Sequence, residues 1–309
     1  RGRMALAADL SVAKAETPTE RPAVAWRSAL CSIDLLFDLV VFVALAVIGN
    51  MLPQHHRPLP GQNGEPSSGD LLPMLLDAPA VSDTVPTWLM FALGVAVPLL
   101  SAGVLSVISP VRGSVRAWLH SYLYTCAFAA ILVNGGKAYC GYRRPNFLAA
   151  CGFNETLGEC TAGDLENAFS RSFPSGHAAG SMAPMLHTSL LWLGALRVGA
   201  PARVRLCGAA SVDISGLLTL GCLLPVVLAC WIAASRVRDD AHHPADVLGG
   251  ALIGGGSATL WYLKYFRGPF GADSHRPRVA FRDSTSRKSG PDDGEEAPST
   301  LSPDGAFEA

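Results

Sequence analysis

Six apolar stretches, at about residues 30–52, 87–109, 117–136, 178–196, 216–234 and 246–266, constrain this chain more than any other feature. Each is roughly 17–25 residues long, the length of helix that crosses about 30 Å of hydrocarbon. A run of this kind can also be a buried helix of a soluble protein. Six of them in 309 residues, in a chain that is 50% hydrophobic and only 16% charged, argue for a bilayer instead. Backbone polar groups find no partners in lipid, so each span is predicted to be α-helical. The expected fold is all-α: a polytopic bundle of six transmembrane helices over residues 30–266. A mostly disordered cytoplasmic arm, 1–29, precedes it, and a disordered cytoplasmic tail, 267–309, rich in Pro, Gly, Ser and acidic residues, follows.

Orientation follows from the cations, because short positively charged loops stay in the cytoplasm. The arm, loops 110–116 and 197–214, and the chain from Lys264 onward hold 17 of the 24 Lys and Arg residues. These segments fall on one side of an even-numbered bundle. Loops 53–86, 137–176 and 235–245 then face the exterior or lumen, and the protein is expected in the plasma membrane or an endomembrane. Asn154-Glu155-Thr156, a glycosylation acceptor pattern, lies in one of these outer loops, so Asn154 is expected to carry a glycan. The patch Leu71-Leu72-Pro73-Met74-Leu75-Leu76 in another is a candidate contact with the membrane surface. The chain opens Arg1-Gly2-Arg3-Met4, which fits a fragment or added residues ahead of a start at Met4. No cleavable-signal pattern precedes the first span, which reads as an anchor.

Eight cysteines make no dense disulfide framework and no Cys-x2-Cys pair for zinc. Cys31, Cys126, Cys222 and Cys230 lie in apolar runs and are expected to be small buried hydrophobes. Cys151 and Cys160 share a polar outer loop and can bridge there, with Cys140 as a competing partner. No basic block points to nucleic acid, which is not an expected partner.

Three short strings border the apolar segments: Lys137-x6-Arg144-Pro145, Ser172-Phe173-Pro174-Ser175-Gly176-His177, and Ser235-Arg236-x5-His242-His243-Pro244-x-Asp246. Phosphoryl transfer asks a protein mainly for positioning and for charge on the equatorial oxygens. Lys137, Arg144 and Arg236 supply cations, the arginines as bidentate forks and the lysine as a point charge. Pro174-Ser175 ahead of an apolar run is how a helix N-terminus is written, so the amides of Gly176 and His177 and the Ser175 hydroxyl are candidate phosphate donors. Ser175 can also serve as an N-cap. Asp246, four residues beyond His242, can fix that imidazole's tautomer and leave the other nitrogen to attack phosphorus. His177 is the candidate general acid for the leaving alkoxide and then the base for water. His243 is expected to be a loop residue or to support the site from outside. No acidic metal-binding cluster accompanies the strings, and neither metal nor cofactor is expected.

In order, these strings resemble the signature of the type 2 phosphatidic acid phosphatase, or lipid phosphate phosphatase, family, across about residues 30–266. Lys137, Gly141, Arg144, Pro145 and Phe147 match its first motif, while Tyr142 and Asn146 stand where an arginine and a histidine are common. The second and third motifs match closely. The resemblance implies Mg²⁺-independent dephosphorylation of a lipid phosphate through a phosphohistidine, with Lys137, Arg144, Ser175, Gly176, His177 and Arg236 around the phosphate. Phosphatidate, lysophosphatidate and sphingoid or ceramide phosphates are the expected substrates. Isoprenoid or diacylglycerol pyrophosphates on the same site, and a non-catalytic lipid-phosphate-binding protein, are the alternatives. Besides lipid, self-association into a homo-oligomer stays open.

Asp34 and Asp38 lie one helical turn apart inside the first span, where charges are costly and face inward. They are expected to be structural, neutral or paired, with Arg27 as one partner. His120 and His187 are expected to be hydrogen-bonded within the bundle, away from the active side. Gly250-x3-Gly254 in the last span reads as a close-packing face.

Overall fold

A computed structural model describes residues 33–55, 76–108, 114–154, 159–162, 169–205, 211–271 and 273–278. The architecture is mostly helical. Helices α1 (Ile33–Met51), α2 (Thr87–Ile108) and α3 (Ser114–Cys140) are followed by the short α4 (Phe147–Cys151). A hairpin of β1 (Phe153–Asn154) and β2 (Glu159–Cys160) leads to α5 (Gly176–Ala195). A second antiparallel hairpin, β3 (Arg203–Arg205) and β4 (Ser211–Asp213), precedes α6 (Ser215–Cys222), α7 (Leu224–Arg238) and α8 (Pro244–Tyr265).

These helices track the expected spans with one break. The stretch 216–234 is divided at Leu223, because Pro225 in the first turn of α7 has no N–H to continue the α6 ladder. Among the described residues, two segments, Thr87–Ile108 and the apolar Ser215–Arg238, are long and apolar enough by length and composition to cross a membrane.

α5 is the hub, packing on α2, α3, α7 and most extensively on α8. Its buried face runs through nearly every turn, from Ala178 to Gly194. On α2 the buried residues Met90, Gly94, Pro98 and Ala102 recur every four positions, one stripe of a helix, while Trp88, Phe91, Val95, Leu99 and Leu100 point away from the bundle. α1 packs chiefly on α3 and exposes Leu36, Phe37, Val40, Val43 and Ile48 on its other face.

α1 is pinned through its two acids. Asp34 pairs with Arg116 at 2.7 Å, and the buried Asp38 contacts His120 and accepts from the Tyr124 hydroxyl at 2.6 Å. His187 meets the Ser121 hydroxyl at 2.8 Å. The structural reading of these acids and histidines therefore holds, each pair including a residue of α3; the suggested partner Arg27 lies outside the described residues.

Several expectations need correction. Residues 267–271 and 273–278, assigned to a disordered tail, fold back on the end of the bundle: Arg278 N–H donates to the Tyr265 carbonyl at 2.7 Å and Ser274 Oγ to that of Gly194 at 2.9 Å. Of the cysteines read as buried, Cys222 is buried, Cys126 is partly so, and Cys230 is exposed on α7; Cys31 lies outside the described residues. Leu76, the described end of the outer-loop patch, is buried against Phe147 and Cys151 rather than presented to a membrane surface. Cys151 and Cys160 form a disulfide that closes the β1–β2 hairpin onto α4, and Cys140 takes no part in it. The arm 1–29, the chain beyond 278 and the acceptor partners Glu155 and Thr156 lie outside the described residues.

Candidate active site

The three strings converge on the N-terminus of α5. Ser175 caps that helix in an extended conformation, its Oγ accepting from Ala178 N–H at 3.4 Å. The Ser175 N–H donates to the Asp246 carbonyl at 2.9 Å, which ties this helix start to the first turn of α8. Lys137 sits in the last turn of α3, its Nζ only 3.2 Å from where a Gly176 Cβ would stand. The ammonium thus lies over the opening turn of α5, and any side chain at 176 would crowd it. Arg144, in the loop after α3, is held by its N–H to the Phe169 carbonyl at 2.9 Å and by its guanidinium over the Phe169 ring at 5.4 Å. Its Nε is buried without a hydrogen-bond partner among the described residues, as is the Nε of Arg171.

Arg236 stands in the last turn of α7, not at the start of the loop as the sequence suggests, and is almost fully buried. Its guanidinium pairs with Asp83 at 2.8 Å and Asp239 at 2.5 Å. Asp239 also accepts from Thr84, from its N–H at 2.7 Å and its hydroxyl at 2.5 Å. The segment ahead of α2 is therefore strapped across the site. It reaches His177 too, through a hydrogen bond with the Val85 backbone, while His177 Nε2 is buried with no partner among the described residues. No motif marks Asp83, Thr84 or Val85 in the sequence. Asp83 and Thr84 lie more than 150 residues from the groups they contact.

His242 and Asp246 are both buried. His243 is the N-cap of α8, and its N–H donates to Asp246 Oδ2 at 3.0 Å, which fixes the carboxylate at the helix start. His242 Nδ1 is 3.7 Å from that oxygen, an ion-pair distance but longer than a hydrogen bond. Ser172 Oγ lies between them, 2.6 Å from Asp246 Oδ2 and 3.2 Å from His242 Nδ1. His243 Nε2 lies 3.3 Å from the Arg143 carbonyl, and its ring packs 5.2 Å from that of Tyr142, one of the two departures in the first motif.

Burial and crowding of like charge set the protonation of the site. Burial pushes Lys137 down to about 8, with Arg144 and Arg171 adding to the effect and Asp246 opposing it. Burial likewise lowers His177 to about 4, aided by Arg236 and His242. His242 falls to about 4 because its burial and the nearby Arg144 and Lys137 outweigh Asp246. Both imidazoles are neutral at pH 7, with lone pairs available. Such a cluster of cations at a helix N-terminus, flanked by two neutral histidines, can bind a phosphate and move its phosphoryl group.

Groups of this kind, gathered at one helix start of a helical bundle, are those that phosphoryl transfer draws on. A family model described as the PAP2 superfamily matches residues 118–269, which hold all three strings. The chain is 29% identical to "Lipid phosphate phosphatase 2" of Arabidopsis thaliana over 79% of its own length and 80% of that protein. It is 28% identical to "Probable diacylglycerol pyrophosphate phosphatase 1" of Schizosaccharomyces pombe, over 57% of this chain and 67% of the relative. Identity to "Phospholipid phosphatase 1" of Rattus norvegicus is 30%, over 46% and 50% of the two chains. No solved structure matches. The chain is similar to the PAP2 superfamily over just under half of its length, and it is a phosphatase.

Proposed function

We propose that the protein is an integral-membrane lipid phosphate phosphatase that hydrolyses phosphate monoesters, such as phosphatidate, lysophosphatidate or sphingoid and ceramide phosphates, through a phosphohistidine and without Mg²⁺. The observation that carries this reading is the convergence of Lys137, Arg144, Arg236, His177 and His242 on the start of α5. In the first step, His242 Nε2 attacks phosphorus in line as the ester P–O bond breaks. His177 gives its proton to the departing alkoxide. The bound phosphate dianion is what raises His177 from its depressed value, since a nearby anion favours the imidazolium. In the second step water attacks the phosphohistidine, His177 takes the water proton, and the P–N bond breaks to release inorganic phosphate and restore His242. The fixed cations and the Ser175–Gly176 helix start carry the charge that builds on the oxygens.

Six spans over 30–266, with the site facing the exterior or lumen, are part of the same reading. The large apolar side chains exposed along α1, α2, α6, α7 and α8 support lipid contact. The Cys151–Cys160 disulfide, in the loop that bears Arg144 and Asn154, supports an oxidising compartment on the site's side. A pyrophosphate substrate is the second reading, favoured by the S. pombe relative and by Arg171, a cation beside Lys137 that belongs to none of the phosphate-binding positions expected from sequence.

The test is phosphate release from a panel of lipid monophosphates and pyrophosphates in detergent with EDTA. Release is expected from the wild type and is expected to vanish in His242→Ala and fall by orders of magnitude in Lys137→Ala. Undiminished release by His242→Ala overturns the nucleophile assignment, and dependence on added Mg²⁺ overturns metal independence. A glycosidase shift that disappears in Asn154→Gln tests the orientation.

A further inference from the structure

Ser172 stands inside the second string but has no role in the chemistry so far. It is fully buried, on the cis-proline turn just ahead of α5, and its backbone N–H donates to the Tyr142 carbonyl at 2.7 Å, so its side chain is held in place. Its hydroxyl is 2.6 Å from Asp246 Oδ2, the shortest contact that carboxylate makes among the described residues. An ionised carboxylate only accepts, so Ser172 must donate to Asp246. The hydroxyl oxygen then has lone pairs left for His242 Nδ1 at 3.2 Å. The direct gap from Nδ1 to the carboxylate is 3.7 Å. The path from imidazole to acid thus runs through the serine: Nδ1–H to Ser172 Oγ, and Ser172 O–H to Asp246 Oδ2.

We infer that Ser172 is a positioning residue for His242, a hydroxyl relay through which Asp246 holds the imidazole in the tautomer whose Nε2 lone pair faces the substrate phosphorus. This rests on the phosphatase reading above and deepens it. Direction matters for the chemistry. With the Ser172 proton committed to the carboxylate, the serine oxygen can only accept from Nδ1, which excludes the tautomer protonated at Nε2. As phosphorus bonds to Nε2, the ring becomes cationic, and its Nδ1–H pulls harder on the Ser172 oxygen, with Asp246 supplying the charge behind it. His243 N–H, on the same Oδ2, fixes the carboxylate end of the relay. The other charged groups facing His242, namely Lys137 and Arg144, disfavour that cation, so the relay is the element that offsets them.

The experiment compares wild type with Ser172→Ala, Ser172→Thr and Asp246→Asn. Phosphate release from phosphatidate in detergent is measured across pH, and phosphoenzyme is trapped by rapid acid-free quench with radiolabelled substrate. Ser172→Ala only removes an oxygen from a buried site. It is expected to lower kcat by roughly tenfold to a hundredfold, the usual range for an outer hydrogen-bond partner, with KM within about twofold. The acid limb of its kcat/KM profile is expected to move, because the group that shares Nδ1 has changed. Phosphoenzyme formation is expected to slow, and Ser172→Thr, which keeps a hydroxyl, to recover part of kcat. The inference is overturned if Ser172→Ala keeps kcat within twofold and an unmoved acid limb while Asp246→Asn is strongly impaired, since the carboxylate then acts without the serine. It is also overturned if Ser172→Ala raises KM alone. No phosphate release by wild type from any lipid would instead overturn the phosphatase reading itself, a separate result.

Discussion

The α5–α8 crossing can be tested with three glycines of one helix. A Cβ on Gly254 would lie 2.6 Å from the Ala179 carbonyl oxygen, 3.0 Å from the Ala183 nitrogen and 3.1 Å from the Met182 Cβ. Two of those atoms are α5 backbone, which no rotamer change can move. Relief to ordinary contact at 3.4 Å requires the helices to part by about 0.8 Å there. Overpacking of this kind costs about 1–3 kcal/mol. Gly256, two residues on and exposed, has nothing within 4 Å of its Cβ position. Both Gly254→Ala and Gly256→Ala gain the same helix propensity, about 1 kcal/mol, so their difference isolates the packing cost. Gly256→Ala is expected to be neutral to stabilising, and Gly254→Ala to melt below it by about 2–4 °C for each kcal/mol in a bundle of this size.

Activity sharpens the same comparison. The α8 turn that carries Asp246 reaches α5 through Gly250, whose Cβ would run into the Ser175 carbonyl. Parting the helices there shifts His242 and Asp246 relative to Ser175 and His177, and a displacement near 1 Å can cost about a hundredfold in rate. Thermal unfolding in detergent, with kcat and KM on one lipid phosphate, is the assay. Gly250→Ala is expected to lose the most activity, Gly254→Ala less, and Gly256→Ala none. Equal stability of Gly254→Ala and Gly256→Ala would refute the packing argument, and full activity of Gly250→Ala would show that the site does not depend on this crossing.

Other predictions follow from charge. Lys137 is held down to about 8 and carries its charge only below that value. The free enzyme's kcat/KM is therefore expected to fall as pH rises through about 8, and Lys137→Arg, which stays charged, is expected to remove that alkaline limb; an unmoved limb refutes the assignment. Arg236 pairs with an exposed carboxylate, Asp83 at 43% exposure, and a buried one, Asp239 at 5%. A phosphate competes with Asp83 for the guanidinium, so Asp83→Asn is expected to lower the inhibition constant of orthovanadate a fewfold, and a raised constant would refute this. Asp239→Asn leaves Arg236 without its buried partner and is expected to destabilise the fold by about 3–5 kcal/mol, read by denaturant unfolding. Cys151 and Cys160 are expected to resist alkylation until reduced, and their labelling without reductant would refute the disulfide.

The legible part of the site was the part written at helix ends. Pro174-Ser175 before an apolar run, and Pro244 two residues after His242, are local signals of where a helix starts, and α5 and α8 begin there. Local signals do not report which atom fills the gap between two elements. The i, i+4 spacing of His242 and Asp246 suggested a direct bond, but His242 lies before the helix, where that spacing no longer brings side chains into register. The result is a 3.7 Å separation that Ser172, from another element, bridges from one side. The strap at Asp83, Thr84 and Val85 was invisible for the same reason: its residue types are ordinary for a loop, and their meaning arises only when the chain closes over 150 residues onto α7. Likewise, the choice of Cys160 over Cys140 for Cys151 depends on the β1–β2 hairpin bringing two backbone segments to a Cα separation of 5.2 Å. Local signals at helix ends thus point to the candidate reactive groups, while the groups that contact them are supplied by chain closure.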